Sequence, residues 1–186
     1  VSKQSPSQQP GLVLWFTGLS GAGKTTIAHA VHERLRRDEI SSAILDGDTF
    51  RQGVARDLGF SDADRSENNR RAGEVARLFS QSGMIVLAAF VSPFRADRAR
   101  VREIIGAANF VEIFVDCPLE ECERRDPKKL YVRARRGEVA QFTGLTSSYE
   151  APLSPEIHLR TDRLTVDQAV DRVLSSLFSV ADFRKL

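Results

Sequence analysis

The sequence predicts an α/β fold of three layers, in which a five-stranded parallel sheet lies between helices. Short apolar runs alternate along the chain with amphipathic segments of helical period, the pattern of buried parallel strands joined by crossover helices. A glycine-rich stretch falls directly between the first apolar run and the first helical segment. The 186 residues, 41% of them hydrophobic, also suffice for one domain with its own core.

Taken in order, the first strand is read over residues 12–17 and the first helix over 24–37. A second strand at 42–45 precedes a helix at 67–81. The third and fourth strands, 84–89 and 110–116, flank a helix at 97–105. A last strand at 157–160 leads into a helix at 166–178. Residues 119–137 break this rhythm with dense charge, and a turn-rich segment, 142–155, follows. A mobile lid is therefore expected over about residues 119–155, within a single domain spanning 11–186. Residues 1–10, rich in Ser, Gln and Pro, read as a frayed tail without the apolar stretch of a secretory signal.

Composition removes several classes of function. The 27 basic and 25 acidic residues leave a formal charge of +2, too even a balance for binding nucleic acid by bulk electrostatics. No window approaches the roughly 20 apolar residues of a membrane span, so a cytoplasmic protein is expected. Cys117 and Cys122 match neither a zinc site nor a Cys-x-x-Cys redox pair. His29, His32 and His158 form no cluster, so a metal held by protein side chains alone is not expected.

The glycine-rich stretch, Gly18-Leu19-Ser20-Gly21-Ala22-Gly23-Lys24-Thr25, fits the pattern G-x-x-x-x-G-K-[ST] in its required strand-to-helix context. Its glycines let backbone N–H groups converge on phosphate oxygens, and the helix N-terminus adds positive potential. Lys24 would reach the β- and γ-phosphates of ATP, and Thr25 would hold Mg²⁺ through its hydroxyl; Thr26 completes the cradle. The motif alone does not separate a kinase from a GTPase or a motor. The chain carries no Asn-Lys-x-Asp guanine-reading motif, which favours a kinase.

A kinase for a small acceptor also needs an acidic group and cations around the transferred phosphoryl. Asp46 and Asp48 in LDGD should emerge at the carboxyl end of the second strand, with Gly47 in a tight chain reversal. Cations gather in Arg65-Ser66-Glu67-Asn68-Asn69-Arg70-Arg71 and among Arg124, Arg125, Lys128, Lys129, Arg133, Arg135 and Arg136. Within the second group Asp126 is the only acid, so mutual repulsion calls for an anion to answer it, while most members should face solvent.

Seven local sequences occur in order: GLSGAGKT, LDGD, LGFSDADRSENNRR, FVSPFR, RDPKKLY, FTGLTSSYE and APLSPEIHL. Together they resemble the adenylyl-sulfate (APS) kinase family of P-loop kinases, over roughly residues 12–177. The resemblance implies a P-loop NTPase fold and transfer of the ATP γ-phosphoryl to the 3′-hydroxyl of APS. It implies that Asp48, Arg51, Phe60, Arg65 and Asn68 line the APS pocket, with Lys128 and Phe142 closing it, and that Leu164 lies near the ATP adenine. Ser92 would contact ligand and stands where a phosphoserine intermediate could form, although direct in-line transfer needs no covalent stop. Lys24, Asp46, Asp48 and Ser92 are thus the catalytic candidates, and which aspartate meets the hydroxyl stays open. A homodimer is also implied. Thr49 stands where the family commonly has Asn, and Lys129 where Gly is usual. Another small acceptor, such as a nucleoside monophosphate or a sugar acid, and a non-catalytic nucleotide sensor are the competing readings.

Overall fold

The computed structural model describes residues 11–179, with the side chains of residues 178 and 179 excepted. The expected tail at 1–10 lies outside the described residues. The chain runs β1 (Leu12–Thr17), α1 (Lys24–Arg37), β2 (Ser42–Asp46), α2 (Gly47–Gln52), α3 (Asp62–Gln81), β3 (Ile85–Ala89) and α4 (Arg95–Ile105). A 3₁₀ turn at Ala107–Asn109 leads to β4 (Phe110–Asp116), α5 (Leu119–Arg125), α6 (Leu130–Arg135), β5 (Ile157–Arg160) and α7 (Val166–Ser179).

All strands pair in parallel, in the order β2-β3-β1-β4-β5. Because successive side chains of a strand face opposite ways, the central run LVLWFT supplies two cores at once. Leu14 and Phe16 pack with α1 and α7 on one face, while Val13 and Trp15 pack with α3 and α4 on the other. Each of these four side chains is fully buried, worth roughly 1.5–3 kcal/mol apiece in removal from water. The edge strands read differently: β2 is half-buried throughout and β5 alternates.

Strand order also places the site. From β1 the chain crosses to β2 on one side, and from β3 it crosses to β4 on the other. Their carboxyl ends therefore border the crevice in which open α/β sheets bind ligands.

Three expectations need correction. Gly47 makes no tight reversal; it opens α2, and the Asp46 carboxylate caps that helix by accepting from the N–H groups of Asp48 and Thr49 at 3.0 and 3.3 Å. The third helix starts at Asp62 rather than 67, because the Ser61 hydroxyl accepts from the Asp64 N–H and fixes its first turn. The charged stretch after β4 is not irregular but holds α5 and α6. Among the described residues no helix is long and apolar enough to cross a membrane.

Candidate active site

The loop between β1 and α1 turns its carbonyls toward the protein. Lys24 Nζ donates to the Gly18 and Leu19 carbonyls at 3.0 and 2.8 Å. Tyr131 from α6 donates to the Ser20 carbonyl at 2.9 Å, and Thr161, just past β5, donates to the Ala22 carbonyl at 2.8 Å. With these acceptors satisfied, and the Ala22 N–H bonded to the Leu19 carbonyl, the loop's other amides are available to an anion. Two glycines make this packing possible: a Cβ on Gly18 would meet the Val115 carbonyl at 2.3 Å, and one on Gly21 the Cys122 carbonyl at 2.9 Å. Lys24 itself is buried, which lowers its pKa from 10.5 to about 8. Thr25 and Thr26 stand exposed in the first turn of α1.

Thr25 and Asp46 meet one strand away. The threonine hydroxyl donates to one oxygen of Asp46 at 2.8 Å, while the other oxygen caps α2. Asp48, exposed in the first turn of α2, instead forms an ion pair with Lys128 from the segment between α5 and α6. That pair joins the acidic corner to the segment between α5 and α6.

Between α2 and α3, Phe60 is exposed, with the Arg51 and Arg65 guanidinium groups 4.6 and 5.7 Å from its ring centroid. Arg51 donates to the Gly59 carbonyl, and Arg65 to those of Phe60 and Gln141. Burial lowers the pKa of both arginines, and neither forms a salt bridge among the described residues. Nearby on α3, Asn68 is buried and its Oδ1 has no hydrogen-bond partner. Phe142 is buried edge-on against Tyr131, with ring centroids 4.8 Å apart. The hydroxyl of the next residue, Thr143, is likewise buried without a partner.

Ser92 follows β3 but is 2% exposed, and its hydroxyl accepts from the Trp15 indole at 3.1 Å. Its backbone is left-handed, with φ 38°. Leu164 packs partly buried against the α1/α7 core beside Thr161.

The lid cations are answered by carboxylates rather than left to repel one another. Arg124 and Arg125 share Glu121, Arg135 pairs with Glu123, and Arg133 with Glu138. Those acids lie just outside the window 124–136 whose imbalance suggested an anion, so these four arginines need none. Sequence reasoning also missed Tyr131, Thr161, Thr143 and Arg98. Arg98 left a signal as a cation in line with Val101 and Ile105 on the buried stripe of α4, and Tyr131 and Thr143 fall within RDPKKLY and FTGLTSSYE, which do not by themselves assign them a role.

The family model described as adenylylsulphate kinase matches residues 10–160. An adenylyl-sulfate kinase of Geotalea daltonii is 58% identical over 164 residues, 88% of this chain and 81% of that protein. One from Aeromonas salmonicida is 55% identical over 180 residues, 95% of this chain and 92% of that protein. A solved structure of a Mycobacterium tuberculosis APS kinase in complex with AMPPNP and APS superposes with a TM-score of 0.88 at 45% identity, covering 91% of this chain and 98% of that one.

Proposed function

The chain belongs to the adenylylsulphate kinase family, and its reaction is transfer of the ATP γ-phosphoryl to the 3′-hydroxyl of APS, giving 3′-phosphoadenylyl sulfate and ADP; we propose how its residues divide that work. The observation that carries the proposal is the phosphate loop, with Tyr131 and Thr161 holding its Ser20 and Ala22 carbonyls from behind and Lys24 at its end. Residues 18–26 take the ATP phosphates. On the triphosphate, Lys24 exchanges two loop carbonyls for phosphate oxygens and stabilises the migrating charge. Leu164 supports the adenine.

Asp46 and Asp48 take different tasks. Thr25 and Asp46 offer hard oxygen donors 2.8 Å apart, a fit for Mg²⁺, which would neutralise charge on the β- and γ-phosphate oxygens when bound. Asp46, already bonded to Thr25 and the α2 amides, is thereby committed to the nucleotide side. Asp48 is the group that orients the 3′-hydroxyl and accepts its proton as the new O–P bond forms and the β–γ bridge breaks. Lys128 pairs with Asp48 and moves with the lid, residues 119–155.

Arg51 and Arg65 answer the phosphosulfate, since they are two partly desolvated cations without a salt bridge among the described residues. Phe60 and Phe142 bracket the APS adenine, and Asn68 Oδ1 accepts from the ligand. Ser92 is a contact residue and not a nucleophile, because its hydroxyl is buried and held by Trp15. We also propose that residues 11–186 form one kinase domain, acting in the cytoplasm as a homodimer; sedimentation as a monomer at working concentration would overturn the last point.

The test is a coupled ADP-release assay with ATP, Mg²⁺ and either APS, a nucleoside monophosphate or a sugar acid. Turnover is expected with APS alone, and preference for another acceptor would overturn the assignment. Lys24→Ala should abolish turnover. Phe142→Ala should raise the KM for APS far more than that for ATP. Ser92→Ala should keep a near-normal rate, whereas a dead variant would reinstate a phosphoenzyme.

A further inference from the structure

Arg98 is 3% exposed, and its guanidinium reaches three places at once. Nε donates to Glu112 of β4 at 2.7 Å, Nη1 to the Ser92 carbonyl at 2.7 Å, and Nη2 to the Glu150 carbonyl at 2.7 Å. Glu112 neutralises the charge, so the two remaining contacts are spent on backbone alone. One carbonyl belongs to the loop leaving β3, and the other to the segment where the lid returns toward β5.

Those two segments are joined further. The Glu150 N–H donates to the Pro93 carbonyl, the Arg95 N–H to the Glu150 carboxylate, and Arg95 Nε to the Ala151 carbonyl. Tyr149 meets the Thr17 hydroxyl at 3.0 Å, and Thr17 donates to the Val91 carbonyl. Within this set Ser92 adopts φ 38°, a left-handed conformation that costs a non-glycine residue energy and persists only when surroundings impose it. Its carbonyl is held inward by Arg98 while its hydroxyl is held by Trp15.

We propose that Arg98 is a positioning residue for phosphoryl transfer, which clamps the strained Ser92 wall of the crevice and the lid's return segment into one unit. The inference rests on the kinase reading above. Without the guanidinium fork, Ser92 relaxes toward negative φ and residues 149–151 lose an anchor, so the acceptor is held in the wrong place. ATP affinity is spared, because the phosphate loop is braced separately by Tyr131 and Thr161. Arg98 touches neither substrate and acts through backbone.

Two variants test this. Arg98→Lys keeps a charge for Glu112 but loses the planar fork. The double variant Arg98→Met/Glu112→Leu replaces the ion pair by apolar groups, an exchange that often preserves or raises stability. Wild-type turnover on APS is measured first, and its absence would sink the kinase reading itself, whatever the variants do. With turnover present, both variants should lose about tenfold or more in kcat and gain several-fold in KM for APS. The Kd for a non-hydrolysable ATP analogue should stay within about twofold of wild type. Wild-type kcat in either folded variant would overturn the proposal. So would parallel weakening of ATP and APS in step with falling Tm, the signature of a merely structural pair. If one variant does not fold, the other decides on the same criteria.

Discussion

Replacing Lys24 by methionine should stabilise the nucleotide-free protein while abolishing turnover. The ammonium is buried, and its pKa falls from 10.5 to about 8. At about 1.4 kcal/mol per pH unit, the charged form carries a penalty of about 3 kcal/mol at neutral pH. Methionine removes that penalty but also the hydrogen bonds to the Gly18 and Leu19 carbonyls, each worth about 1 kcal/mol net. The balance favours the variant by about 1 kcal/mol, or about 2–4 °C in Tm for a chain of this size. Between pH about 8 and 10.5 the unfolded chain holds a proton that the folded protein has released, so wild-type stability climbs with pH across that window. The penalty is in full below about pH 8 and gone above 10.5, where the lost hydrogen bonds should leave the variant the weaker protein. Thermal melts from about pH 7 to 10.5, with and without ADP, measure this. Only the wild type should gain stability from ADP. A lower Tm for the variant at neutral pH, or a gap constant across the window, would refute the reasoning.

Other outcomes follow from single residues. Tyr131→Phe removes the brace on the Ser20 carbonyl and should weaken nucleotide binding about five- to tenfold, as lost hydrogen bonds of about 1 kcal/mol do; unchanged affinity by calorimetry would mean the loop holds itself. Lys129 sits at φ 54° before α6, so Lys129→Gly should raise Tm by about 1–2 °C after allowance for glycine's unfolded-state entropy, and an equal fall would refute it. Cys117 and Cys122 are buried, and burial pushes the Cys122 thiol up to about 12. Neither should react with an aromatic disulfide reagent until the protein is unfolded, and prompt labelling of native protein would contradict this.

The strands were legible because each is a short run rich in apolar residues, and β1 and β3 are buried along almost their whole length. β1 and β4 have the expected bounds, as does α1, which starts where the glycines end. The lid helices were not legible. α5 and α6 are short, have Pro118 and Lys129 at their N-caps with no side-chain hydrogen bond, and bury only one or two residues each. α2 was hidden because Asp-Gly-Asp reads equally well as a turn, and only the reach of Asp46 to two following amides settles it. The phosphate loop was readable as a motif, but its braces were not: Tyr131 and Thr161 lie far along the chain, and nothing local to either, the RDPKKLY stretch that ends at Tyr131 included, points back to the loop. Arg98 hid for the opposite reason, as a cation inside an apolar stripe that charge counting assigns to solvent.

Thr161 closes the phosphate loop from 139 positions downstream. A ribosome making this chain releases the glycine motif 139 positions before its last support. The nascent protein therefore displays the signature of a nucleotide site long before it owns one, and ATP cannot template its early folding. Closing so long a span is slow, so the capacity to grip a triphosphate should appear with β5 docking, as a late and abrupt event.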